Sequence, residues 1–147
     1  MDAFKAVTSK AGKESKSRKA FSVEMANRAL PLVRRIVVDI VNQYCTLVEV
    51  QKHYQELLRQ GPSETLESAR DRRQAVAGRL SELTDELEAI GCELKDYERG
   101  IVDFPAVLDG REVYLCWKLG EDTVDSWHEL IDGYAGRRAL PVRRPSR

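Results

Sequence analysis

The feature of this sequence that most constrains its fold is a pair of long runs of residues spaced alternately by three and four positions. The first seam is Val33, Val37, Ile40, Tyr44, Leu47, Gln51, Tyr54 and Leu58, and the second is Leu66, Ala69, Arg73, Val76, Leu80, Leu83, Leu87 and Ile90. This heptad spacing predicts two helices that pack as a coiled coil. Because only residues 60–63, which contain Gly and Pro, separate the two seams, the helices should form an antiparallel hairpin.

Capping and helix-stopping residues set the ends of the two predicted helices. Ser22 is a good N-cap, and a short turn then leads to Pro31, which either opens the main helix at its first turn or kinks it. The second helix should begin near Ser63 or Thr65. Gly91 is expected to end it, since glycine suits the left-handed position that follows the last helical turn.

The dipeptide Asp109-Gly110 between two apolar runs predicts a two-residue, type I′ hairpin turn. This turn fixes which residues face one another across the two strands. One face is apolar and pairs Val102 with Trp117, Phe104 with Leu115 and Ala106 with Val113. The other face pairs Ile101 with Lys118, Asp103 with Cys116 and Pro105 with Tyr114. Pro105 has no N–H to donate, so a bulge or an edge position is expected there. A short strand at 92–95, turned by residues 97–100, should precede this ribbon.

Both faces of the ribbon need a cover, because a lone two-stranded ribbon is marginal in water. The helical hairpin can cover one face. The other needs the C-terminal segment 120–136, in which Val124, Trp127 and Ile131 give a short amphipathic pattern, or a second subunit, or a ligand. Two helices alone also bury little surface, so we expect a homodimer. The predicted fold class is α+β, with a long antiparallel two-helix coiled-coil hairpin followed by a small β-hairpin ribbon and a short C-terminal segment.

Charge is unevenly placed along the chain, although its 24 basic and 24 acidic residues balance. Residues 1–20 hold six basic and two acidic residues, and residues 136–147 hold five arginines and no acid. We therefore expect a disordered basic arm (1–20), a single acidic domain (21–136) and a disordered basic tail (137–147). The acidic body should repel nucleic acid, so only weak association through the tails is expected.

Cysteine usage and hydropathy indicate the compartment. The cysteines Cys45, Cys92 and Cys116 are far apart and form no C-x-x-C pair, which argues against a zinc knuckle and favours a reduced, cytoplasmic setting. No apolar run approaches the ~20 residues that span a bilayer. The lysine-containing N-terminus has no apolar core segment, so a secretory signal is not expected.

The second face of the ribbon and the acidic surroundings of His128 are where we expect a functional site. The candidate residues are Asp103, Tyr114, Cys116, Glu121 and His128. A histidine with carboxylates can hold Zn, Mn or Fe, so one alternative is a divalent metal ion on Asp103, Glu121 and His128. The competing interpretation is a histidine bonded to a nearby carboxylate at a packed corner, with no cofactor. Cys116 could be a nucleophile, but a cysteine beside aromatic residues in a strand is more often a small buried apolar residue.

Other charged and aromatic residues of this region have simpler interpretations. The charged run at 95–99 is interpreted as an ion-paired strand end rather than an acid–base pair. Trp117 and Trp127 could stack on bases, but the acidic body around them argues against it. No Gly-rich phosphate loop is present.

Three segments resemble a known family. They are FSVEMANRALPLVRRIV, IGCELKDYERGIVDFPAVLDGREVYLCWKLGE and WHELIDGYAGR. The chain resembles, over roughly residues 21–140, the uncharacterised bacterial domain-of-unknown-function family numbered 2203. The resemblance implies a small soluble protein with a long helical hairpin and a β-ribbon. It implies no activity, cofactor or site residue, so none is transferred.

Three functions are compatible with these patterns. The first is a dimeric protein-interaction module without catalysis, which presents its polar helical tip or the β-ribbon to another protein. The second is a small metal-binding protein or metal-dependent enzyme, with the carboxylate and histidine site in residues 91–136. The third is weak nucleic-acid association through the tails.

Overall fold

The structure, a computed structural model, describes residues 20–141. Helix α1 spans Val23–Gln60 and helix α2 spans Glu64–Ile90. The strands are β1 Glu93–Asp96, β2 Ile101–Leu108, β3 Arg111–Lys118, β4 Ser126–Glu129 and β5 Arg138–Ala139, with a 3-10 helix at Tyr134–Gly136 before β5. All five strands form one antiparallel sheet in the order of the chain. The predicted α+β class is confirmed. Within the described part of the chain, no helix is long and apolar enough to cross a bilayer.

The helix ends follow the capping residues. The Ser22 and Ser63 hydroxyls accept hydrogen bonds from the third backbone N–H beyond them, each at 3.0 Å. Gly91 ends α2 in the left-handed conformation, with φ of 111°. The short turn expected before Pro31 is wrong, because α1 is continuous from Val23 through this proline.

The predicted seams bring the two helices together. Buried seam residues are Val33, Val37, Ile40, Tyr44, Leu47, Tyr54, Leu66, Ala69, Leu80, Leu83 and Leu87. The polar seam positions also meet, since Arg73 donates a hydrogen bond to Gln51 at 3.2 Å. Near the tip, Leu58 leaves the seam and is exposed. The predicted helical hairpin is therefore confirmed.

The ribbon has the predicted register over all eight pairs, from Ile101 with Lys118 to Leu108 with Arg111. Asp109 and Gly110 both have positive φ, at 51° and 77°, as a type I′ turn requires. Pro105 occupies an edge position: β1 pairs with β2 only as far as Asp103, and beyond it the Phe21 N–H donates to the Pro105 carbonyl at 2.7 Å. The pairing of β2 with β3 therefore continues through Pro105 although proline has no N–H to donate.

The C-terminal segment corrects two expectations. Residues 126–129 form β4 beside β3, and Ile131 is 95 % exposed, so the amphipathic pattern does not extend to it. Residues 137–141, which we assigned to the tail, belong to the fold, because Arg138–Ala139 pairs with β4. The rest of the predicted tail and residues 1–19 of the predicted arm lie outside the described residues.

One chain covers much of both faces of the sheet. The apolar face, with Val102, Phe104, Leu115 and Trp117, packs in the same core as the two helices. On the opposite face Asp103, Cys116 and His128 are buried. A second subunit is therefore not needed to cover the faces of the sheet, and the homodimer stays a prediction.

Gly100→Ala is expected to destabilise the protein by about 2–5 kcal/mol. Gly100 has φ of 68°, and a Cβ there would lie 2.9 Å from both Leu119 and Val37, so backbone strain and overpacking add. The measurement is urea unfolding followed by circular dichroism. Gly110→Ala is the matched control, because its φ is also positive but nothing lies within 4 Å of the added methyl, and it should lose only about 1–2 kcal/mol. Equal losses would contradict the packing contribution.

Candidate functional site

Asp103 and His128 meet on the face of the sheet that points away from the helices. Asp103 lies on β2 and His128 on β4, the two neighbours of β3. The His128 Nε2 atom lies 2.9 Å from Oδ2 and 3.0 Å from Oδ1 of Asp103. Each residue is only 2 % exposed. The sequence placed Asp103 on this face by register, and the pairing of β4 with β3 adds His128.

The hydrogen bonds of His128 indicate that a positive charge, either a proton or a metal cation, must lie between His128 and Asp103. Its Nδ1 lies 2.7 Å from the Glu129 carbonyl oxygen, and because a carbonyl only accepts, Nδ1 carries a proton and donates it. Nε2 then faces two carboxylate oxygens, which are acceptors when Asp103 is ionised. Burial raises the pKa of Asp103, and the hydrogen bond and charge of His128 oppose this rise. A second proton or a metal cation therefore has to lie between Nε2 and the carboxylate.

Cys116 completes a three-residue cluster. It pairs with Asp103 across the ribbon, and its Sγ, a carboxylate oxygen of Asp103 and a ring nitrogen of His128 all lie within 4.8 Å of one another. Burial, reinforced by the charge of Asp103, raises the pKa of Cys116 to about 12. Without a metal the side chain is therefore a protonated thiol, which is a poor nucleophile.

Glu121 lies apart from this cluster. Its carboxylate accepts hydrogen bonds from the guanidinium of Arg137 and, at 3.0 Å, from the backbone N–H of Lys118. Burial acts to raise the pKa of Glu121, but these hydrogen bonds outweigh it and lower the pKa. Arg137 also acts to lower the pKa of Cys116, so its guanidinium lies near both Glu121 and the cluster. Of the expected metal ligands, the structure brings Asp103 and His128 together and places Cys116, instead of Glu121, beside them.

A cleft of about 370 Å³ opens over Asp103 and His128. Tyr114 forms part of its wall: the phenol donates to Glu93 Oε2 at 3.1 Å, and the ring centre lies 5.5 Å from that of His128. Lys95 lies over the Tyr114 ring, with Nζ 5.2 Å from its centre. Four of the five candidate residues thus lie in or beside one site, and Glu121 is not among the described residues that line the cleft.

The remaining charged and aromatic candidates have structural partners. Lys95 Nζ is 2.8 Å from a Glu93 oxygen, and Arg99 Nε is 3.1 Å from Asp96 Oδ2, which confirms the ion-paired strand end. Trp117 is fully buried and donates to the Glu121 carbonyl at 3.0 Å. The charged run therefore shows ion pairs and no acid–base pair, and the Trp117 ring is not free to stack on a base.

The cluster has the composition of an open metal site. It offers one oxygen, one sulfur and one nitrogen, and three protein ligands beside a cleft leave a further coordination position for water or substrate. Donor atoms in a tetrahedral site are separated by roughly 3.3–3.7 Å, so His128 and Asp103 would separate by less than about 1 Å to admit an ion. The hydrogen bond from Nδ1 to a backbone carbonyl is the support that metal-binding histidines commonly have.

Of three comparisons with known proteins, one found a match, to a family model. A family model described as "Uncharacterized conserved protein (DUF2203)" matches residues 19–140. The searches of curated proteins and of solved structures found no match. The matched residues include both helices, the whole sheet, the cluster of Asp103, Cys116 and His128, and also Arg137.

Proposed function

This chain belongs to the DUF2203 family of uncharacterized conserved proteins, and we propose that it is a metal-binding protein that holds a zinc-class divalent ion between Asp103, Cys116 and His128. The observation that carries the proposal is the contact of the His128 Nε2 with both carboxylate oxygens of Asp103, at 2.9 and 3.0 Å, with a thiol within 4.8 Å. A cation at this point would satisfy all three groups, and binding would release the protons that they hold without it.

The chemistry of the three ligands favours particular metals. A thiolate and an imidazole select borderline and soft ions such as Zn²⁺, whereas Mg²⁺ and Ca²⁺ prefer oxygen ligands only. Zn²⁺, Asp103, the Cys116 thiolate and neutral His128 together carry no net charge, which suits a buried position. A zinc ion with one open position is a Lewis acid, and such an ion could polarise a substrate that enters the cleft.

Zinc titration of the full chain is the experiment that tests this proposal. After chelation and desalting, calorimetry should give one zinc per chain, with no detectable binding of Mg²⁺. Cobalt substitution should add a thiolate-to-metal charge-transfer band. Exposed Cys45 and His53 could bind zinc weakly, so the variant that carries Cys45→Ser and His53→Gln is the control and should keep full stoichiometry. Absence of zinc binding, or binding that this control variant loses, would overturn the proposal.

The homodimeric, non-catalytic interaction module remains a separate hypothesis. Leu130 and Ile131 support it weakly, because they form an exposed apolar pair at the edge of the cleft, 49 % and 95 % exposed. Sedimentation analysis tests the dimer, and a stable folded monomer at micromolar concentration would contradict it. Nucleic-acid association through the tails would be salt-sensitive and would vanish on removal of residues 1–19 and 142–147, which leaves the folded residues 20–141 in place. The cytoplasmic location also stays a prediction.

A further inference from the structure

The mouth of the cleft presents a guanidinium group that is held in place before any ligand arrives. Asp96 Oδ1 accepts hydrogen bonds from the backbone N–H groups of Glu98 and Arg99, at 2.9 and 2.7 Å. Asp96 Oδ2 accepts from Arg99 Nε at 3.1 Å. The guanidinium carbon lies 5.4 Å from the centre of the Tyr134 ring. Arg99 is therefore fixed at one edge by a carboxylate and lies over an aromatic face.

The other edge of the Arg99 guanidinium is available for a ligand. Its side chain is 55 % exposed, and within the described residues 20–141 its two terminal amino groups have no hydrogen-bond acceptor. Two parallel N–H groups on one edge of a guanidinium match the two oxygens of a carboxylate or phosphate. Lys95, the second cation on the cleft, already pairs with Glu93.

The carboxylates of the cleft restrict the charge of such a ligand. Three acids line it: Asp96 pairs with Arg99, Asp103 with His128, and Asp132 has no cationic partner among the described residues. Asp132 would repel a second negative charge. The volume of about 370 Å³ suits a small molecule, and Tyr114, Tyr134, Leu130 and Ile131 supply aromatic and apolar wall.

We infer that the cleft binds a small organic acid with a single carboxylate, which Arg99 holds at the mouth while the body of the molecule lies against Tyr134 and points toward Asp103 and His128. This inference names the substrate class for the open coordination position, and in that respect it rests on the proposed function. The carboxylate subsite itself needs no metal, because all of its contacts come from the protein.

Binding of benzoate to the full chain tests the inference, measured by calorimetry and by amide chemical shifts with and without zinc. Benzamide is the uncharged analogue, and inorganic phosphate is the more highly charged oxyanion. Benzoate should bind at least about tenfold more tightly than either, and Arg99→Gln should weaken it about tenfold or more. Arg111→Gln is the matched control: Arg111 also pairs with a carboxylate, that of Glu129, and lies over Trp127, but it is outside the cleft, so affinity should stay unchanged.

The outcomes separate this inference from the proposed metal site. Zinc binding without benzoate binding would overturn the inference and leave the metal site standing. Benzoate binding that depends on Arg99 in a protein that takes no zinc would support the carboxylate subsite and refute the metal site. Equal binding of benzoate and benzamide, tighter binding of phosphate, or equal effects of the two arginine variants would each overturn the inference.

Discussion

Cys116→Ser is expected to weaken zinc binding by about 100-fold or more, whereas Cys92→Ser should leave it unchanged. Loss of an outer partner of a metal ligand already costs about 10–100-fold in affinity, and Cys116 is proposed as a direct ligand. Serine keeps the size of the side chain but replaces the thiolate with a hydroxyl, which is a much poorer ligand for zinc at neutral pH. Competition with a chromophoric chelator measures both affinities.

Cys92 is a close control for this substitution. Both cysteines are buried, and burial raises the pKa of each thiol to about 12. Serine therefore places a hydroxyl in a buried environment at either position, and both variants should lose some stability. Only Cys116 lies beside Asp103 and His128. Equal losses of zinc affinity in the two variants would show that the effect comes from stability and would contradict the assignment of Cys116.

Asp103→Asn is expected to abolish zinc binding and, in the metal-free protein, to raise the free energy of unfolding at neutral pH by about 1 kcal/mol. The asparagine amide can donate to Nε2 of neutral His128 while Nδ1 continues to donate to the Glu129 carbonyl, so both ring nitrogens stay bonded without a buried charge. Chemical unfolding of chelator-treated protein measures the stability, and calorimetry measures the zinc affinity.

The gain from Asp103→Asn should depend on pH with a defined sign. Burial raises the pKa of Asp103 above its ordinary value of 3.8, so the folded state holds this proton to higher pH than the unfolded state does. The favourable contribution of the protonated carboxyl is complete below pH 3.8 and is lost as the pH rises through the folded-state pKa. Asparagine stays neutral throughout, so its advantage should grow with pH and disappear in acid.

Asp85→Asn is the control for loss of one negative charge, because Asp85 is exposed on α2. It should change the free energy of unfolding by less than about 0.5 kcal/mol at any pH. An Asp103→Asn protein that is less stable than the wild type at every pH, or that still binds zinc normally, would contradict the role given to Asp103. A substitution that raises stability but abolishes binding is expected at a functional site, because residues kept for function often lower the stability of the protein.

The sequence was sufficient for features that depend on local spacing. The heptads determined the helical hairpin, and Asp109-Gly110 determined the register that places Asp103 opposite Cys116. Serine caps and Gly91 set the helix ends within a residue or two. Pro31 is the exception: it is the ninth residue of the helix Val23–Gln60, so it does not open the helix at its first turn.

The contacts that complete the site depend on chain segments returning to the sheet. Glu121 is close to His128 in the sequence, whereas Asp103 is 25 residues away from it. In the fold, β4 carries His128 toward Asp103 on β2, while Glu121 lies in the first half of the β3–β4 connection and pairs with Arg137. Arg137 was missed, because a basic residue next to a Pro- and Arg-rich end resembles a tail and only the pairing of β5 shows otherwise. No local sequence pattern predicts that His128 pairs with Asp103 and that Glu121 pairs with Arg137.

X-ray absorption spectroscopy of the zinc-loaded full chain tests the metal site most directly. The proposed ligands predict one sulfur neighbour at about 2.3 Å and nitrogen or oxygen neighbours at about 2.0–2.1 Å, with a total of four or five. The sulfur contribution should disappear in Cys116→Ser and remain in Cys92→Ser. A zinc ion that has only oxygen and nitrogen neighbours in the wild-type protein would contradict the proposed site on Asp103, Cys116 and His128.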